Sequence, residues 1–426
     1  MTGASGRDGR SARYAIVGGR RWMLAADDVS LTYDAAARRV TRHAGGRSEV
    51  VGEDIWEVLR SHLLADAGDV VAVGYLGYAC RPDLPAVVGG DVPDAVLLLV
   101  PGRRQESPAG RGFSDWAAVA TPSQSRNHRS TGDSTPPPPP AWYAAAFAEV
   151  QEALHAGDTY ETNLTYRLSV ESSIDPAEAF ARLSAANPAP YAGFLHHDVP
   201  GAQAWLVGSS PERFARIGDG WIETKPIKGT TPRDPDPERD EANARLLRTD
   251  PKFRSENLIV TDLLRNDLSI VCEPGSVTVP SLMAVESYPS VHQLVTTVRG
   301  RLREGVTVLD AVQALFPAGS MTGAPKERTM ALIARAEGTP RGAYAGAFGT
   351  ISRDAADLGV VIRSTTTAGD GRWTVGTGGG ITVRSDLAEE WAESRWKAER
   401  VLGVLSSQGP GGPRRRTFAG WRDAGH

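Results

Sequence analysis

Cysteine is scarce: the chain of 426 residues has only Cys80 and Cys272. That excludes a disulfide framework and a cysteine-based metal site. No apolar run approaches the ~20 residues of a membrane span. The polar stretch from Met1 to Arg13 lacks the apolar core of a signal peptide, so a cytoplasmic protein is expected. Positive charge is not in surplus either. The formal net charge of −4 speaks against a nucleic-acid partner, which requires a basic face. What the chain does have is apolar bulk. Its 41% hydrophobic content allows one large domain or two smaller ones.

The pattern along the chain alternates short strands with clusters of helix. Residues 14–120 read as an N-terminal part of strands with one or two helices, including apolar runs at Val70–Tyr78 and Asp94–Val100. Residues 121–140 are rich in Ser, Thr and Asn and end in the proline run Pro136 to Pro140, which marks a linker or a long surface loop. Residues 141–405 carry the densest patterning. Helices are expected at Trp142–Ala156, Pro176–Ala186, Val308–Leu315, Lys326–Glu337 and Leu387–Leu405, with another over Pro237–Asp267 broken at Asp250-Pro251. Ala347–Ser352, Asp357–Thr367 and Trp373–Val383 read as an antiparallel meander. The Gly-, Pro- and Arg-rich tail, 406–426, is expected to be disordered. The sum is an α+β layered protein.

Several side chains stand out chemically. Lys228 lies between Ile227 and the turn residue Gly229. It is either a surface lysine beside a turn or a sheltered one whose lost hydration favours the neutral, nucleophilic amine. Glu390, Glu393 and Lys397 share one stripe of the last helix, which is either a solvated salt-bridged face or one wall of a cavity. Gly378, Gly379 and Gly380 interrupt a strand pattern, often a sign that something approaches the backbone closely. Glu256 and Glu393 together suit a hard cation such as Mg2+. Arg363, in an apolar run, requires either an internal carboxylate or a bound one.

The order of motifs then resembles the chorismate-utilising enzymes. The resemblance rests on Ser210-Pro211-Glu212-Arg213-Phe214, Pro226-Ile227-Lys228-Gly229-Thr230, Glu256 to Asp267, Gly319 to Lys326, Arg341 to Gly346, Ile362-Arg363-Ser364 and Gly378 to Ile381. It is dense over 141–405, and Gly74 to Tyr78 extends it weakly into the N-terminal part. The resemblance implies two stacked antiparallel sheets with helices outside and the site between them. It implies Mg2+ on Glu256 and Glu393, with Glu390 nearby. It places Arg363, Tyr344, Lys397 and the backbone N–H groups of Gly378 and Gly380 around the enolpyruvyl carboxylate. Ser320, Gly323 and Ala324 would meet the ring carboxylate, and Glu212 would protonate the departing C4 hydroxyl.

Lysine at 228 resembles the branch of the family that makes 4-amino-4-deoxychorismate, with the lysine adding to ring C2 and ammonia then adding at C4 to expel the lysine from C2. A sister activity, forming anthranilate or 2-amino-2-deoxyisochorismate, is the alternative. Departures from the family pattern are Phe253, where relatives often carry a carboxylate, and Gln293, where many have histidine. His292, one place earlier, is a substrate-binding candidate. Glu161 stands where water-using members carry a base lysine, against isochorismate formation. Neither cysteine lies in a glycine-flanked nucleophile turn, so ammonia is expected from a separate glutamine amidotransferase subunit in a heterodimer.

Overall fold

A computed structural model describes residues 12–25, 27–65, 69–101, 138–288, 291–406 and 416–418. Among these residues the strands form two antiparallel sheets. In the first, with nine strands, the order of eight in space is Gly323–Ala324, Glu161–Glu171, Arg372–Ile381, Ser364–Thr367, Ala204–Ser210, Tyr191–His197, Arg13–Val17 and Arg20–Met23, and the ninth, Arg416–Phe418, pairs with Glu161–Glu171. In the second, with twelve, it is Ile227–Pro232, Val291–Arg301, Trp221–Lys225, Arg213–Gly218, Ala356–Val360, Ala347–Ile351, Val70–Leu76, Ala95–Pro101, Ser30–Asp34, Arg39–Ala44 and Arg47–Gly52. Thr278–Ser287 completes the second by pairing with Val291–Arg301. Strands of the N-terminal part thus join both sheets.

Side-chain alternation explains the layering. Leu195, Leu206, Val73, Tyr75 and Phe348 meet between the sheets. Their neighbours Phe194 and Val207 turn the other way, onto helices Pro176–Ala186 and Leu387–Leu405. Likewise Ala72 and Leu76 face helices Ile55–Leu63, Val308–Leu315 and Pro251–Ser269. This is the α+β architecture expected, two stacked sheets with helices outside. The break at Asp250-Pro251 is also found. Asp250 ends helix Pro237–Thr249, and its carboxylate accepts the Lys252 and Phe253 N–H groups at the start of the next helix.

Two expectations are corrected. The meander is not continuous, because Asp357–Thr367 is two strands in different sheets, Ala356–Val360 and Ser364–Thr367. The chain turns at 361–363, where Arg363 has φ +51°. The corner is hidden because the apolar residues Val360, Val361 and Ile362 run into it, the first two of them buried, so hydrophobicity does not drop at the bend. Ala204–Ser210 and Arg213–Gly218 make the parallel change of sheet through Pro211 and Glu212. The two corners are bonded together: Val360 N–H donates to the Glu212 carbonyl (3.0 Å) and Ser209 N–H to the Arg363 carbonyl (3.1 Å). The second correction concerns the tail. Arg416–Phe418 is a strand paired with Glu161–Glu171, using an edge that would otherwise offer unpaired backbone groups. Residues 407–415, 419–426 and 121–137 of the linker lie outside the described residues.

A buried clamp fixes the smaller sheet against helix Lys326–Glu337. Glu337 accepts from Thr165 N–H (2.8 Å), Thr165 Oγ1 (2.9 Å), Arg167 (2.7 Å) and Arg341 (2.6 and 3.1 Å). Burial opposes its charge, but Arg341 and Arg167 hold its pKa below the ordinary value. Arg341 also donates to the Met321 carbonyl (2.5 Å) and the Asn163 carbonyl (2.7 Å). Removing one member of such a group strands buried charge. Glu337→Ala is therefore expected to cost about 3–5 kcal/mol in urea unfolding; a loss below about 1 kcal/mol, the range of a surface pair, would contradict the clamp.

Candidate active site

The strand Arg372–Ile381 pairs with Ser364–Thr367 only at Thr374 and Val375, while its pairing with Glu161–Glu171 continues to Ile381. From Gly376 onward one edge is therefore free, and a cavity of about 420 Å³ opens along it. That volume suits a small organic substrate. The Gly378 carbonyl accepts Lys397 Nζ on this free side (3.2 Å). In an antiparallel strand a residue's N–H and C=O point the same way, and alternate residues share that direction. The N–H groups of Gly378 and Gly380 therefore face the cavity.

The glycines are required by close approach. A Cβ on Gly376 would enter the Tyr344 ring, and one on Gly380 would sit 2.5 Å from Glu161 Oε1 and 2.8 Å from Lys228 Nζ. On the other face a Cβ on Gly379 would lie 3.2 Å from Glu390 Oε2 and 3.6 Å from Lys397 Nζ. Two sets of charged side chains thus reach the same strand from opposite sides.

Lys228, on strand Ile227–Pro232, is 9% exposed and donates to Glu161 Oε1. Lys252 pairs with Glu390 at 2.9 Å, and Lys397 with Glu393 at 2.6 Å. Glu390 also accepts Ser385 Oγ (2.8 Å) and is buried, the Glu393 side chain is 42% exposed, and both line the cavity. Glu212, at one corner between the sheets, accepts from Ser320 Oγ. Arg363, at the other, donates to the Lys397 carbonyl (3.0 Å) and lies over the Trp396 ring (5.3 Å). It has no carboxylate partner among the described residues.

The charges follow from burial and neighbours. Burial lifts the Glu212 carboxyl to about 7, although the Ser320 bond, Lys228 and Lys397 pull it down. Burial also lifts Glu256 to about 7; Lys228 opposes this, and Glu161, Glu390 and Glu393 add to it. The Lys397 ammonium holds Glu393 down at about 2. Burial, then Arg400, lowers Arg363 to about 10, as expected of a cation without an anion. Lys228 departs from the sequence reading. Burial favours its neutral form, but Glu161, Glu256 and Glu212 outweigh burial and push its pKa above the ordinary value. Shelter alone does not uncharge this amine.

The structure gathers Glu212, Lys228, Glu256, Ser320, Tyr344, Arg363, Gly378, Gly380, Glu390, Glu393 and Lys397 around the cavity. It does not gather all the candidates. His292 points away, bonding Ser287 Oγ (2.8 Å) and Asp240 Oδ1 (3.0 Å). Successive strand residues face opposite ways, so its neighbour Gln293 lines the cavity instead. Gly323 and Ala324 also lie off the cavity, paired with Thr162 and Glu161; Ser320 and Met321 form that wall. Lys252 and Asn163 were not singled out from the sequence. Lysine's rarity was the available signal for the first: only Lys225, Lys228, Lys252, Lys326 and Lys397 occur.

For a metal the donors are hard carboxylate oxygens, as Mg2+ prefers, and Glu256 carries no ion pair with a described residue. No group of three or more His, Cys, Asp or Glu in metal-holding geometry occurs among the described residues. The fit is to a partial site of one or two carboxylates, completed by water and substrate oxygens.

Residues 25–403 match the chorismate binding enzyme family. The chain belongs to that family. An aminodeoxychorismate synthase of Streptomyces pristinaespiralis is 40% identical over 419 residues, covering 88% of this chain and 57% of the relative. Aminodeoxychorismate synthase component 1 of Klebsiella aerogenes is 42% identical over 266 residues, covering 62% and 58%. The chain thus spans somewhat over half the length of these relatives. The crystal structure of anthranilate synthase component I from Streptococcus pneumoniae shares the fold, with a TM-score of 0.69 at 23% identity over 94% of this chain and 95% of that one.

Within this family site the raised Glu212 carboxyl has a measurable linkage. Its folded pKa of about 7 lies above the ordinary 4.5. The stability it contributes is full below about pH 4.5 and lost as pH rises through about 7. Glu212→Gln is expected to gain on the parent by up to roughly 3 kcal/mol between those limits. Urea unfolding at about pH 4.5 and about pH 8 tests this; a variant-to-parent difference that does not change with pH would contradict it.

Proposed function

We propose that this chain is the chorismate-aminating component of an aminodeoxychorismate synthase, forming 4-amino-4-deoxychorismate for p-aminobenzoate and folate. The observation that carries the reading is Lys228, a buried primary amine inside a chorismate-family cavity that also holds a proton-carrying carboxyl, Glu212. An amine so placed can form a covalent bond to the ring.

Chorismate is a dianion, and the cavity offers it matching groups. Arg363, Tyr344, Lys397 and the N–H groups of Gly378 and Gly380 receive the enolpyruvyl carboxylate. Magnesium, when held by Glu256 and Glu393 with Glu390 close by, supplies positive charge for the ring carboxylate. Lys228 then adds to C2. The double bonds shift to C1–C6 and C4–C5, and the C4 hydroxyl leaves as water with the Glu212 proton. Ammonia adds at C4, the double bonds shift back, and the lysine is released from C2.

Ammonia comes from a separate glutamine amidotransferase subunit in a heterodimer. Both cysteines are buried. Burial raises Cys80 well above its ordinary value and Cys272 to about 11, unlike a nucleophilic thiolate. No described helix is long and apolar enough to cross a membrane, and we place the enzyme in the cytoplasm.

With chorismate, Mg2+ and ammonium, the expected product is 4-amino-4-deoxychorismate, identified by mass spectrometry and NMR. Lys228→Ala is expected to abolish it while chorismate binding persists. A C2-aminated product would assign the chain to a sister activity, and an undiminished Lys228→Ala turnover would remove the lysine from the chemistry. Glu393→Gln is expected to weaken Mg2+ binding by roughly 10–100-fold in calorimetric titration; unchanged affinity would place the metal elsewhere.

A further inference from the structure

We propose that Glu161 is the base that frees the Lys228 amine and returns its proton at the end of each turnover. The inference rests on the reading of Lys228 as nucleophile. Glu161 Oε1 accepts from Lys228 Nζ, and the carboxylate is 3% exposed. Its other oxygen, Oε2, is buried and has no hydrogen-bond partner among the described residues. Leaving a buried acceptor unmatched is costly. Glu337, by comparison, has partners on both oxygens. Glu161 has the opposite character: one oxygen on the amine, the other free to hold charge or proton as the amine changes state.

The backbone fixes this geometry. Ala324 pairs with Glu161, and Thr159 Oγ1 donates to the Glu161 carbonyl (2.9 Å). Gly380 leaves room for the pair on the facing strand. The rival carboxylates facing the amine are less suited. Glu212 is held by Ser320 and serves the leaving hydroxyl, and Glu256 makes no ion pair with the lysine. Glu390 and Glu393, across the cavity, are engaged by Lys252 and Lys397.

The proton balance closes. The Lys228 ammonium gives a proton to Glu161 and becomes a neutral amine. Its lone pair forms the bond to C2 while the C4–O bond breaks, and Glu212 gives its proton to the departing hydroxide. Ammonia forms the C4–N bond while the C2–N bond breaks, and that electron pair returns to lysine as a neutral amine. Glu212 takes the surplus proton from the new C4 ammonium, and Glu161 returns its own to Lys228.

Glu161→Gln keeps the shape and an acceptor for the lysine but takes no proton. With chorismate, Mg2+ and ammonium, it is expected to lower kcat for 4-amino-4-deoxychorismate by roughly 10²–10⁴-fold, leaving the chorismate KM near the parent value. With ammonium withheld, the Lys228 adduct seen by peptide mass mapping should form correspondingly more slowly. Formate, but not chloride, should accelerate folded Glu161→Ala. A Glu161→Gln enzyme with parental kcat, or a folded Glu161→Ala that formate leaves unchanged, would overturn the proposal. A parent enzyme that forms no C4-aminated product would instead overturn the underlying reading of the chain's function.

Discussion

An ammonium buried among carboxylates is the constraint around which the cavity is built. Away from water a lone charge is expensive, and attraction between opposite charges is stronger than at the surface. Lys228 is tolerated because Glu161 touches it and Glu256 and Glu212 lie near enough to act on it. The glycine strand follows from the same need, since a side chain at Gly380 would occupy the space of that ion pair. The incomplete pairing of Arg372–Ile381 answers a different need: it leaves backbone N–H groups facing the cavity, where they can meet an anion, instead of a neighbouring strand.

The wider charge pattern has the same logic. Lys228–Glu161, Lys252–Glu390 and Lys397–Glu393 ring the cavity as pairs, while Arg363 offers a cation with no described carboxylate against it. Such a site can accept an anion without stranding a carboxylate. The two corners that carry Glu212 and Arg363 are bonded to each other across their backbones. The acid and the free cation are therefore held by the junction between the sheets, a more rigid support than a surface loop.

Much of this was legible in the sequence. The break at Asp250-Pro251 is legible because a short acidic side chain followed by proline suits the start of a new helix, where Asp250 satisfies free N–H groups. The glycine run and the acidic stripe of the last helix offered one wall of a cavity as one of two readings of their spacing, and the resemblance to the family chose between them. Other features depend on long-range geometry. The bend at Arg363 is hidden because apolar residues run into it. His292 and Gln293 are adjacent in sequence, and only the strand's orientation decides which faces the cavity. The charge of Lys228 was misread because shelter is visible locally as Ile227 and Gly229, whereas Glu161 comes from a different sheet.

The state of that amine is the point on which the account turns. Side-chain NMR of 15N-labelled lysine in the free enzyme, with Lys228→Arg to assign the signal, reads it directly, and the chain's few lysines make the spectrum tractable. The account predicts an Nζ that stays protonated through neutral pH and titrates above an ordinary lysine. An Nζ already neutral near pH 7 would contradict it.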